Sequence, residues 1–372
     1  MQKKRISLGL MSGTSGDGVD ASIIKSDGVK QYEVIKDKYF EYNSDIYRDI
    51  HNLKEKIHKI DHLQKYNNEI NDVERKITIF HAEIIKELNI SGDTLVGFHG
   101  QTIYHNAVEK ISRQLGNGEL LNQLTHKNIV FNFRSNDIMN GGQGAPLTPI
   151  FHHLISKQNN IKLPVCFLNI GGISNITIVK DDDNLTELAS KDIGPGNCLI
   201  DSWVRRNSDQ KFDKDGELAT SGSTNKIILE QAQELYMSIH NKKKLSFDTN
   251  DFDVSFIRGL NLQDGASTLT DFTANIIASE LSLSLKESKE KIREILICGG
   301  GRKNNVLLKK ISKYMSPDID LKNIDEYKIN GDFIESQAFA FLAIRSVLQL
   351  PISFPNTTGC KDPCTGGQLV KS

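Results

Sequence analysis

Among the residues able to move a proton, Asp192 has the most suggestive surroundings, LASKDIGPGNCLIDSW (188–203). A strand closes at it, and Gly194, Pro195 and Gly196 then halt the chain and expose the carboxylate before a helix begins near Asn197. A carboxylate so presented can act as a general base. It can equally be a turn or N-cap aspartate. A second constellation, LGLMSGTSGDGVDAS (8–22), is rich in glycine and hydroxyl side chains. Gly13, Gly16 and Gly18 let the backbone turn with N–H groups aimed at an anion, and Ser12, Thr14 and Ser15 add donors. Asp17 and Asp20 would repel a bare phosphate and accept one through a magnesium ion or its waters. Neither a Walker loop nor a dinucleotide fingerprint is present. Val19, Ala21 and Ile23 instead alternate with polar residues, so the glycines sit at the tip of a β-hairpin, and a plain tight turn remains the alternative.

The same punctuation recurs in VCFLNIGGISNITIV (165–179), again a hairpin, and in ILICGGGRKNN (295–305), which runs into a helical pattern. Two hairpins about half a chain apart predict two related α/β domains, 1–160 and 161–372, with a seam at Lys157–Pro164. The C-terminal segment could pack back onto the first. Two such tips facing across a cleft would hold a nucleotide's phosphate tail from both sides, and the third glycine run would offer flat backbone to the base. The elements between are helical. Leu63, Tyr66, Ile70, Val73, Ile77, Phe80 and Ile84 form one apolar stripe over about 61–88, suited to core packing or to a dimer contact. Further helices are expected over 265–286 and 332–348.

Polar side chains that a core would reject follow two apolar runs. His99, Gln101 and Thr102 in FHGQTIYH, and Arg134, Asn136, Asp137 and Gln143 in the 132–153 segment, are suited to sugar hydroxyls and a carboxylate. His152 and His153 follow Pro149 at a helix start and read as structural. A formal net charge of −1 over 372 residues, with signs interspersed, excludes a basic nucleic-acid footprint. No apolar run approaches the ~20 residues of a membrane span. Five scattered cysteines suggest a reducing, intracellular setting, and CKDPC (360–364) lacks a nearby histidine for a zinc site.

With these motifs in hand, the chain resembles the anhydro-N-acetylmuramic acid kinases. The resemblance rests on MSGTSGDGVDA (11–21), HGQT (99–102), NFR…D…GGQGAPL…FHH (132–153), LNIGGISN (168–175), DIGPGN (192–197), FDKDG (212–216), CGGG..N (298–304) and GD..E..AFA (331–340). It implies a two-domain actin-like fold, of the sugar-kinase and ribonuclease H-like class, with a central cleft. It also implies hydrolysis of a 1,6-anhydro sugar bridge coupled to phosphorylation of O6 by ATP with Mg²⁺, in a cytoplasmic homodimer that recycles peptidoglycan. By this resemblance Asp192 is the base that activates water, and Glu335 holds the water or the N-acetyl group. Gly13, Thr14, Ser15, Gly16, Asp17, Gly18, Val19 and Asp20 grip the phosphates, with Asp17 and Asp20 toward the metal. Gly171 and Gly172 oppose them, and Gly299, Gly300 and Asn304 lie near the adenosine. His99, Gln101, Thr102, Arg134, Asn136, Asp137 and Gln143 would bind the sugar. This chain departs from the family at Gly16, usually leucine, at Asn132, usually aspartate, at Asn117, also usually aspartate, and at Lys191, whose charge is expected to lower the pKa of Asp192. An actin-like ATPase sensor or chaperone and a kinase for a plain sugar are the competing readings.

Overall fold

A computed structural model describes residues 3–181, 184–239, 247–288 and 290–372. Two compact units emerge, one from the described residues within Met1–Ile161, Asp182–Ala189 and Asp332–Ser372, the other within Lys162–Asp181 and Ser190–Gly331. No helix among the described residues is long and apolar enough to cross a membrane.

The first unit opens with the antiparallel strands β1 (Arg5–Ser12), β2 (Gly18–Ser26) and β3 (Tyr32–Glu41). Helix α1 (Ser44–Lys56) follows, capped by Asn43, whose carbonyl accepts from Ile46 N–H at 2.9 Å. The apolar stripe is broken into α2 (Ile60–Lys65) and α3 (Asn67–Leu88), with Tyr66 leaving helical geometry at φ −105°, ψ 21°. The paired Asn67 and Asn68 explain the break, because asparagine favours helix starts over interiors. Ile70, Val73, Ile77 and Ile84 of α3 are buried against Leu8, Leu10, Val19 and Phe98 of the sheet. Then come β4 (Leu95–Asn106), β5 (Ile111–Leu115), α4 (Gly118–Thr125), β6 (Ile129–Phe131), α5 (Ser135–Met139) and α6 (Pro149–Gln158). Asn132, just after β6, has φ +56°, a left-handed position that asparagine tolerates better than most residues.

The second unit repeats the plan. It contains β7 (Val165–Ile170), β8 (Ile173–Val179), β9 (Ala189–Pro195), α7 (Cys198–Asn207), α8 (Glu217–Ser221), α9 (Lys226–Ile239), α10 (Leu262–Glu287), β10 (Glu294–Cys298), α11 (Asn305–Tyr314) and β11 (Asp320–Asn323). Its sheet runs β11-β10-β7-β8-β9, with β7, β10 and β11 parallel. The first sheet runs β6-β4-β1-β2-β3 in the same sense, with β1, β4 and β6 parallel. This doubled strand order is the actin-like plan. Trp203, Leu269, Phe272 and Ile276 form the core between α7 and α10.

The chain then returns to the first unit through α12 (Ile334–Val347), α13 (Pro355–Thr358) and β12 (Gln368–Val370), which adds to the sheet beside β6. Helix α12 lies on β1, β2 and β4. Gly9 and Gly97 are partners in register there, and each admits the helix backbone. A Cβ on Gly9 would stand 1.9 Å from Ser336 O, and one on Gly97 2.3 Å from Phe339 O.

Candidate active site

In the first unit the β1–β2 tip is a turn closed by Gly16 N–H to Gly13 O at 3.2 Å, with Gly16 at φ +68°. Glycine suits that left-handed position where leucine would not. Gln101 on β4 donates its Nε2 to Gly13 O at 2.9 Å, and Lys54 of α1 sets its ammonium on Thr14 O at 2.5 Å. Thr14 is exposed, while Asp17 and Asp20 are half-buried. The hydroxyls differ from the sequence expectation. Ser12 is buried and paired with the Tyr42 hydroxyl at 2.8 Å, and Ser15 donates to Asp17 Oδ1 at 2.6 Å. Val19 is fully buried, so only its backbone can face a ligand.

Next to this loop the polar side chains of β4 and the 132–144 segment form a fixed network. His99 is buried, and its Nδ1–H donates to Gly100 O at 2.8 Å. Its Nε2 accepts from Arg134 Nη2 at 2.9 Å, and Arg134 Nη1 reaches Gly144 O at 2.9 Å. Burial, followed by the neighbouring guanidinium, holds the His99 pKa well below its ordinary value. A neutral imidazole therefore orients Arg134. Thr102 Oγ1 accepts from Gln114 Nε2 at 3.2 Å, and Asn136 Nδ2 donates to Thr365 O at 2.7 Å. Gln143 Oε1 and Gln101 Oε1 are buried acceptors with no hydrogen-bond partner. Asp137 is wholly buried, with its oxygens taken by Gly144 N–H at 2.7 Å and Thr358 Oγ1 at 2.6 Å. It shapes the 142–144 turn and presents no surface to a sugar. Glu335 is half-buried in the first turn of α12.

His81, His99 and His152 are all buried, and desolvation is the leading cause of their low pKa values, about 4 for His81 and about 3 for His152. Each is neutral when folded and gains a proton on unfolding below its unfolded pKa of about 6.5. Their contribution to stability is therefore complete above about pH 6.5 and is lost as pH falls toward the folded values. Three such groups give a slope of up to roughly 4 kcal/mol per pH unit. Urea unfolding at about pH 7.5 and about pH 5.5 should show a markedly lower midpoint at the acid value. Equal midpoints would contradict this assignment.

In the second unit three of the sequence motifs converge. The β7–β8 tip, Gly171 and Gly172, accepts backbone N–H groups from the end of β9. Gly196 and Cys198 donate to Gly172 O at 2.9 and 3.1 Å, and Asn197 donates to Gly171 O at 2.8 Å. A Cβ on Gly196 would stand 2.2 Å from Gly171 O, so only glycine permits the junction. Gly299, at φ +79°, passes equally close to β7, its virtual Cβ 2.3 Å from Asn169 Oδ1. Gly300 follows in the same turn with open space where a Cβ would stand. Asn304 is buried, and its carbonyl caps α11 by accepting from Leu307 N–H at 3.0 Å. It fixes the turn, and that oxygen is not available to a base.

Asp192 lies within β9, which continues to Pro195 instead of closing at the carboxylate. Nor is the carboxylate exposed as the sequence leads one to expect: it is 8% exposed, and its Oδ2 accepts the Phe247 N–H at 2.7 Å from a distant segment that covers it. Lys191 does not lie beside it. Neighbouring residues of a strand face opposite ways, and the Lys191 ammonium is directed to Glu287 at 3.7 Å and Glu280 at 3.9 Å. The Lys191 ammonium is thus turned toward acidic side chains of α10. Lys54 and Phe247 were invisible to sequence reading, since each reaches its site from a distant segment with no motif of its own.

Comparison with known proteins shows the family. The family model described as anhydro-N-acetylmuramic acid kinase matches residues 5–372. A protein of that name from Pelagibacter ubique is 57% identical over 375 residues, covering 100% of both chains. Proteins of the same name from Agrobacterium fabrum and Zymomonas mobilis are 33% identical over 381 residues and 34% over 377, covering 100% and 98% of this chain and 100% and 99% of their own. The chain, alike over its whole length to these relatives, is a kinase and belongs to the anhydro-N-acetylmuramic acid kinase family.

Proposed function

We propose that the chain opens the 1,6-anhydro bridge of 1,6-anhydro-N-acetylmuramic acid with water and transfers the γ-phosphoryl of ATP to O6. The products are N-acetylmuramic acid 6-phosphate and ADP. Asp192 takes a proton from water as its oxygen bonds to the anomeric carbon. The bond from that carbon to O6 breaks, and O6 takes the phosphoryl group. An inverting glycosidase needs a second carboxyl to protonate the departing oxygen, and here phosphoryl capture replaces it. The observation that carries this reading is the junction of β9 with the second glycine tip. The strand holding Asp192 runs directly into the Gly196–Cys198 N–H groups that grip Gly171 and Gly172.

The first-unit loop, Gly13 to Asp20, would hold phosphate through backbone N–H groups, with the Lys54 ammonium already at its edge. The carboxylates of Asp17 and Asp20 are hard oxygen donors suited to Mg²⁺, which when bound neutralises charge on the transferred group. Gly300, with open space beside it, would leave room for adenosine, in a turn that Gly299 seats against β7. Arg134, held by neutral His99, would meet the sugar's carboxylate, with Gln101, Thr102, Asn136 and Gln143 toward its hydroxyls. Glu335 would hold the attacking water or the N-acetyl group. Use of ATP supports a cytoplasmic reaction, and the family resemblance supports a role in recycling cell-wall sugar and a homodimer.

The test is a short incubation with ATP and the anhydro sugar in ¹⁸O-labelled water, with the product weighed before the anomeric oxygen exchanges. The expected product carries one added phosphoryl group and one labelled oxygen at the anomeric carbon. Phosphorylation with the bridge intact would favour a plain sugar kinase, and ATP hydrolysis with no sugar product an ATPase.

A further inference from the structure

Cys360 and Cys364 take no part in the chemistry proposed for this family, and two thiols in one short segment cannot close a metal site alone. The fold supplies the rest. Helix α5 brings Asp137 against this segment, so that a carboxylate oxygen and the two sulfurs all lie within 4.8 Å of one another. The three residues are 0%, 2% and 6% exposed, in the order Asp137, Cys360, Cys364. The hydrogen bonds that Asp137 accepts come from neutral donors, Gly144 N–H and Thr358 Oγ1. A buried carboxylate is costly unless a cation compensates it. A second, independent observation points the same way. Ser353 Oγ is 1% exposed, and the polar group it meets is the Cys364 thiol, a weak partner for a buried hydroxyl. Its backbone is fixed against Cys364, with Cys364 N–H donating to Ser353 O at 3.0 Å.

We propose that Cys360, Cys364 and Asp137, with Ser353 as the fourth donor, form a binding site for a thiophilic divalent cation of the zinc class. Two sulfurs and two oxygens match a tetrahedral soft-metal set and not the octahedral all-oxygen set of magnesium. Metal–sulfur bonds of about 2.3 Å need the sulfurs about 3.8 Å apart, so the two thiols, already within 4.8 Å, close by about an ångström or less on binding. On binding, each thiol S–H bond is replaced by a metal–sulfur bond, and the two protons pass to solvent. The ion joins segments that already touch. Gln143 N–H donates to Thr358 O at 2.8 Å, and Lys361 N–H to Asn140 O at 3.1 Å. It thereby locks the turn whose Gly144 O holds Arg134.

The experiment uses the full chain, reduced and stripped with a chelator, titrated with Cd²⁺ alone while thiolate-to-metal charge-transfer absorption is followed. Zn²⁺ is then added and thermal unfolding recorded. One ion per chain is expected, with a Tm rise of several degrees at saturating Zn²⁺. Cys360→Ser and Cys364→Ser should each weaken binding at least about tenfold. Should a serine variant fail to fold, the unaltered protein answers alone, because Zn²⁺ should protect Cys360 and Cys364 from alkylation and leave Cys198 unchanged. Absent uptake, uptake undiminished in both variants, or protection at Cys166, Cys198 or Cys298 instead would overturn the site. So would a Cys360–Cys364 disulfide forming in air in protein that takes up no metal when reduced.

Discussion

Replacing Asp192 with Asn should lower kcat by roughly 10³-fold or more, with ATP affinity held within a few-fold. Asparagine keeps the size and the acceptor oxygen, so the contact with Phe247 N–H can persist and β9 need not move. What disappears is the ability to take a proton from water. The strand register and the Gly196–Cys198 junction are backbone features and should survive. Unchanged Tm and ATP binding, measured by calorimetry, would show that the loss is chemical. A variant that turns over at near-normal rate would mean that another group is the base, and the mechanism above would have to be abandoned.

The second large effect is on stability. Gly9→Ala should cost about 3 kcal/mol or more, at the upper end of ordinary overpacking. Its Cβ would arrive 1.9 Å from the backbone oxygen of Ser336 and 2.6 Å from Ala340 N. Backbone cannot rotate away as a side chain can, so α12 must lift. Lifting is resisted by the Ser22–Ser336 hydroxyl contact at 2.6 Å and by the matching close approach at Gly97. Gly92→Ala, where nothing lies within 4 Å of the added atom, is the control and should be nearly neutral. Denaturant unfolding of the two variants makes the comparison. A loss at Gly9 no larger than at Gly92 would show that the helix seats more loosely than described.

Local signals made the hairpins and both glycine tips legible, because alternation and glycine act within a few residues. The same locality explains what was missed. Gly194-Pro195 reads as a strand terminator, yet β9 is an edge strand, where proline is tolerated and pairing continues to Pro195. Tyr66 fits the apolar stripe by spacing, but the asparagines after it restart the helix. Lys54 meets the first loop only after the chain has made a sheet and a helix, and its own segment resembles any amphipathic surface. Asp137 looks like a ligand-reading carboxylate in sequence, and only tertiary packing shows it enclosed beside two thiols.

Because α12 and β12 belong to the unit that β1 begins, that half of the molecule is discontinuous in the chain. During synthesis β1 leaves the ribosome long before the helix that covers its Gly9 face. The second unit, nearly contiguous, can fold in the meantime. The nascent first sheet must therefore wait with an apolar face uncovered, which makes it the natural client for a chaperone.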